Sequence, residues 1–103
     1  MRYKITFRKR ASNEYLDSLF WYKVRSFDAA EQFINAIDGT LEKIAFYPTR
    51  YRNTYKKFYE VGVKKFPFSI VYFIDEEEHR IVITSIFHYK RNPRKKFTDR
   101  DLI

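Results

Sequence analysis

The stretch FSIVYFIDEEEHRIVITSIF, Phe68–Phe87, carries the strongest structural signal of the chain. Phe68–Ile74 is apolar on both faces of an extended chain, as a strand buried on both sides must be. Asp75–His79, DEEEH, is too polar to continue that strand and reads as a hairpin loop. Arg80–Phe87 is a second apolar run rich in β-branched residues, which suit a pleated, packed surface. Two such runs joined by a short polar loop predict an antiparallel pair at the centre of a sheet.

Working outward, Phe66-Pro67 makes a turn or an edge, since proline cannot donate to a strand ladder. Phe58–Lys64 reads as a further strand with Gly62 as its weak point. Arg50–Tyr55 is polar and loop-like. Upstream of Pro48 the period changes from strand to helix. Ala30, Phe33, Ile34, Ile37, Leu41, Ile44 and Ala45 recur on one helical stripe. Ser26 is placed to cap this helix, and Asp28 falls in its first turn, where a negative charge meets the helix dipole. Gly39 costs about 1 kcal/mol against alanine in a helix interior, so a close approach or a bend is expected there. Pro48 ends the element. Leu16, Leu19 and Phe20 mark an earlier helix capped by Ser12 or Asn13, and the short link near Ser26 predicts a helical hairpin. Arg2–Arg8 alternates, with Tyr3, Ile5 and Phe7 on one side, as a half-buried strand does. The order is β-α-α-β-β-β: a single α+β domain over residues 1–103, with a mostly antiparallel sheet and the helical hairpin packed on one face.

Composition narrows the function. The 103 residues suffice for one small domain, and 45% hydrophobic with 20% aromatic residues suffices for a core built largely from Phe and Tyr. The absence of cysteine excludes disulfides and thiolate metal sites and fits a reducing compartment. No signal peptide or membrane-spanning stretch is legible, so a cytoplasmic protein with no membrane partner is expected. The net charge of +8 is concentrated in three blocks: residues 1–10, residues 49–67, and the tail from Lys90, where five of the seven residues Lys90 to Lys96 are basic. Gathered on one face, these blocks attract phosphates or an acidic partner. Neither His79 nor His88 has a partner at metal-ligand spacing. There is no phosphate-binding glycine loop or nucleophile elbow. No metal and no cofactor is expected.

Three stretches carry a resemblance to a known family. SFDAAEQFINAIDGTLEKIAFYPTRY has an Ala-x-x-Phe helical core and a terminal proline. KKFPFSIVYFID joins a basic strand end, a turn and a central strand that includes Tyr72. IVITSIFHYKRNP is a last strand with a His/Arg-Asn-Pro end. In this order they resemble the RelE/ParE superfamily of toxins from type II toxin–antitoxin modules.

The resemblance implies a small cytoplasmic toxin, neutralised by a cognate antitoxin whose disordered C-terminal segment folds over it, and it allows a heterotetramer of the two. That segment is expected on the apolar positions of the helical hairpin that do not face the sheet. Two targets follow from the two branches: DNA gyrase, bound by ParE-like members, or ribosome-associated mRNA, cut by RelE-like members. Metal-independent cleavage needs a base for the 2′-hydroxyl, cations for the phosphorane and an acid for the leaving oxygen. By resemblance that set would be Glu60, His88, Tyr89 and Arg91.

The chain departs from the nuclease pattern. Ser69 stands where the family places a strand arginine, Glu60 and Gly62 where lysine-based members place two lysines, and Phe97 where a tyrosine is expected. A hydroxyl cannot supply a guanidinium's charge, and Phe97 cannot donate a proton. A ParE-like toxin acting by binding is therefore the first reading. A nuclease with an altered site is the second, and a non-toxic basic nucleic-acid-binding domain the third. Lys64, Lys65, Lys90, Arg91, Arg94 and Lys95 are the residues expected to bind target or antitoxin.

Overall fold

The computed structural model describes residues 2–90. Its elements are β1 (Lys4–Phe7), α1 (Lys9–Arg25), α2 (Phe27–Phe46), β2 (Arg52–Tyr55), β3 (Phe58–Gly62), β4 (Phe68–Asp75) and β5 (Arg80–His88). One five-stranded sheet has the order β1-β5-β4-β3-β2. β1 runs parallel to β5 and every other pair is antiparallel. The expected order holds with one addition, the short strand β2. Arg50–Tyr55 read as a loop because its residues are polar. An edge strand of four residues tolerates that, since one side needs no partner.

The quoted stretch is the centre of the sheet. β4 and β5 pair from Phe68↔His88 to Asp75↔Arg80, with one bulge at which Thr84 and Ser85 oppose Val71. Seven consecutive residues of β5, Ile81–Phe87, are buried. The hairpin α1–α2 covers one face. Phe33, Ile37 and Ile44 of α2 pack with Phe68, Ile70, Tyr72, Ile81, Ile83 and Ile86 in the main core. Phe33 lies at the middle of a ring cluster, 5.1 Å from Tyr22, 5.4 Å from Phe66 and 5.1 Å from Phe68. On the opposite face Phe58, Val71 and Phe87 form a smaller cluster with Phe73 against it.

Three local expectations meet different outcomes. Ser26 caps α2 as read, its hydroxyl accepting from the Ala29 N–H at 3.2 Å. Neither Ser12 nor Asn13 caps α1. The helix begins at Lys9 after Arg8, which makes no side-chain cap bond. Because β1 hands its chain directly to α1, both residues fall inside the helix. Gly39 meets no close neighbour: a Cβ there would find open space. Pro48 does follow the helix end, and its carbonyl accepts the hydroxyl of buried Tyr72. Residues with positive φ stand in all three hairpin turns, Lys56, Lys65 and His79. Tight turns require that conformation.

Candidate functional site

Strand alternation sorts the candidate residues onto the two faces of the sheet. Paired residues in antiparallel strands share a face. His88 pairs with Phe68, and their rings meet edge-on at 5.1 Å, on the helix side. Glu60 pairs with Val71, which belongs to the helix-free cluster. The carboxylate and the imidazole of the expected nuclease set are thus separated by the sheet, and the structure does not bring them together.

Gly62 and Ser69, where the resemblance led strand cations to be expected, fall on the helix-free face. Gly62 pairs with Ser69 and Ser69 with Phe87, so this row crosses three strands without a charge. Ser69 is buried. Cations do stand elsewhere on the face. Arg52 pairs with Glu60 across β2 and β3. The Arg8 guanidinium lies 5.2 Å, and the Lys57 ammonium 4.1 Å, from the centre of the Phe73 ring. Cation–π contact holds both long side chains over the apolar cluster. Among the described residues, no group of His, Asp and Glu side chains is placed to hold a metal ion.

Lys64, Lys65 and Lys90 lie on adjoining segments. The first two occupy the turn from β3 to β4, and Lys90 follows the end of β5. The Tyr89 N–H donates to the Pro67 carbonyl at 3.1 Å, tying the end of β5 to that turn. All three lysines are exposed. Arg91, Arg94, Lys95 and Phe97 lie outside the described residues. His79 stacks on the Tyr3 ring at 3.9 Å, and the Tyr3 hydroxyl donates to Glu76. It is occupied in joining β1 to the β4–β5 hairpin.

The helical hairpin presents an apolar stripe. Of the apolar residues at helical spacing in α1, Leu19 and Tyr22 pack on the core. Leu16, Phe20 and Val24, continued by Phe27, are 58%, 68%, 65% and 65% exposed. The four-residue spacing of Leu16, Phe20 and Val24 puts these three on one side of α1, and Phe27 opens α2 after the extended Ser26. At its start the stripe borders a cavity of about 350 Å3 between the helices, lined by Phe7, Tyr15, Leu16, Ile37, Asp38 and Leu41. Monomeric surfaces seldom leave such a row of large apolar side chains in water without a partner.

Behind these surfaces stands a carboxylate that sequence reading passed over. Glu14 of α1 reaches the β5 bulge, where one oxygen accepts from the Ser85 hydroxyl at 2.7 Å and from the Ile86 N–H at 3.0 Å. Arg10 pairs with its other oxygen at 3.5 Å. No local pattern signals this contact, because its partners are more than seventy residues away in the chain.

Residues 5–93 match the family described as ParE toxin of type II toxin–antitoxin system, parDE. In fold the chain is similar to one from the chromosomal ParDE toxin–antitoxin system of P. aeruginosa, with a TM-score of 0.70 at 12% identity over 84% of this chain and 96% of that one. It is similar to a mutant of the E. coli toxin RelE in the free state, with a TM-score of 0.66 at 14% identity over 100% of both chains. A third likeness is to a chain of the toxin–antitoxin complex RelBE2 from Mycobacterium tuberculosis, with a TM-score of 0.59 at 15% identity over 85% of this chain and 99% of that one. No curated protein matches in sequence.

Proposed function

The chain belongs to the ParE toxin family of type II toxin–antitoxin systems, and from this premise we propose that it acts by binding a target, DNA gyrase, rather than by cutting RNA. The observation that carries this reading is the separation of Glu60 from His88 by the sheet. General acid–base catalysis on one phosphodiester requires both groups within hydrogen-bond reach of it, or of one intervening water. The neutral row Gly62–Ser69–Phe87 supports the same reading, since nothing in it stabilises a phosphorane. The cognate antitoxin is the second partner. An amphipathic acidic segment that folds on binding would cover the stripe Leu16–Phe20–Val24 with its apolar side.

Induced expression without antitoxin tests the target. DNA damage signalling with intact mRNA is the expected result. Rapid cleavage of translated mRNA without that signalling would overturn the gyrase reading in favour of the nuclease.

A further inference from the structure

Where the last turns of α1 pass the β3–β4 turn, an open cleft of about 290 Å3 is lined by Ser18, Trp21, Tyr22, Pro67 and His88. It lies on the helix side of the sheet, away from Glu60 and the row Gly62–Ser69–Phe87. Its aromatic walls are backed by the core. Tyr22 meets Phe66 edge-on at 5.4 Å, and His88 meets Phe68 at 5.1 Å. Trp21 packs edge-on against Tyr22 at 5.1 Å, and the Arg25 guanidinium stacks on its ring at 3.8 Å. Trp21 is nonetheless 44% exposed. The volume falls at the low end of ligand sites, which suits one planar ring system rather than a large ligand.

Lysines stand on the chain segments next to two of the lining residues, Pro67 and His88. Lys64 and Lys65 stand in the turn that leads to Pro67, and Lys90 is held to that turn by the Tyr89–Pro67 hydrogen bond. We propose that this cleft binds one unpaired nucleotide, its base against Trp21 and His88 and its phosphates toward Lys64, Lys65 and Lys90. Stacking on aromatic rings beside a basic groove is how single strands are held without sequence preference. The inference does not depend on gyrase being the target.

Trp21 is the only tryptophan of the chain, so intrinsic fluorescence reports on the cleft. The full chain is titrated with short oligothymidylate, with an abasic strand of equal length, and with thymidine monophosphate. Oligothymidylate is expected to quench the emission saturably and the abasic strand to leave it unchanged. Quenching by the strand alone assigns the nucleotide to single-stranded nucleic acid. Equal saturation by the monophosphate assigns it to a free nucleotide.

With a labelled strand followed by anisotropy, Trp21→Ala and His88→Ala each weaken binding about 5- to 100-fold. His88→Phe, which keeps a stacking ring, retains affinity. Neutralising Lys64, Lys65 and Lys90 together lowers the log–log salt slope by about 2. Unchanged affinity in both alanine variants, or equal binding of the abasic strand, overturns the proposal. So does equal competition by an acidic peptide of the same length.

Discussion

Glu60 and His88 stand on opposite faces of one sheet, with β4 between their strands. Glu60→Gln is therefore expected to leave growth arrest and target affinity unchanged. The readouts are colony formation after induction and pull-down of gyrase. Loss of arrest together with loss of mRNA cleavage would place this carboxylate in a catalytic site after all.

The stripe on α1 leads to a second expectation. Replacing Phe20 and Val24 with serine removes large side chains that are mostly in water, so the melting temperature should hardly move. Affinity for the antitoxin should fall about 30-fold or more, as at anchor positions of other interfaces. Calorimetric titration with the cognate antitoxin checks this, and an unchanged dissociation constant would remove the stripe from the interface.

Glu14 joins α1 to the β5 bulge through two hydrogen bonds and pairs with Arg10 within α1. Glu14→Ala leaves the Ile86 N–H and the Ser85 hydroxyl without their acceptor and should cost about 2 kcal/mol. Glu14→Gln keeps an acceptor and should cost less. Urea unfolding with an unchanged m-value measures both.

Two ion-paired carboxylates, the half-buried Asp75 and the exposed Glu42, contribute to the acid limb. The Arg80 side chain holds Asp75 below its ordinary range, with help from the Glu78 N–H, and Arg2 does the same for Glu42. A folded-state pKa below the unfolded one gives stability that is full above the unfolded value of about 4 and is lost as pH falls through the folded value. Melting temperature should therefore drop below about pH 4. Asp75→Asn should flatten that slope, and an identical slope would show the pair to be inert.

At the alkaline end the sign reverses. Burial raises the Tyr72 hydroxyl far above its ordinary value, with the neighbouring Tyr51 and Tyr59 adding to the shift. Its contribution is full below about pH 10 and declines as pH rises, because the unfolded phenol ionises first. Tyr72→Phe should lower stability at neutral pH, since the Pro48 carbonyl loses its donor. It should also weaken the loss of stability above about pH 10, followed by circular dichroism.

Much of the fold was legible because its signals are local. The apolar runs Phe68–Ile74 and Arg80–Phe87 are β4 and β5, and the stripe from Ala30 to Ala45 is α2. Ser26 caps where its hydroxyl predicted. The failures share a cause. Arg52–Tyr55 becomes a strand only because β3 is there to pair with it. Ser12 and Asn13 do not cap, because β1 passes straight into α1. Gly39 signals an approach that no neighbour makes.

The helical hairpin, the first strand, the two buried central strands and the family were legible along the chain, since periodicity and ordered motifs are local. Which residues meet depends on the packing of distant segments. His88 and Glu60 appear as one candidate set in the chain, yet strand alternation and the pairing register put them on opposite sides. Trp21, Pro67 and His88 are far apart in sequence, yet α1 crossing the β3–β4 turn makes them one cleft. A side chain's face depends on the partner strand and its bulges, and those long-range pairings leave no local trace in the sequence.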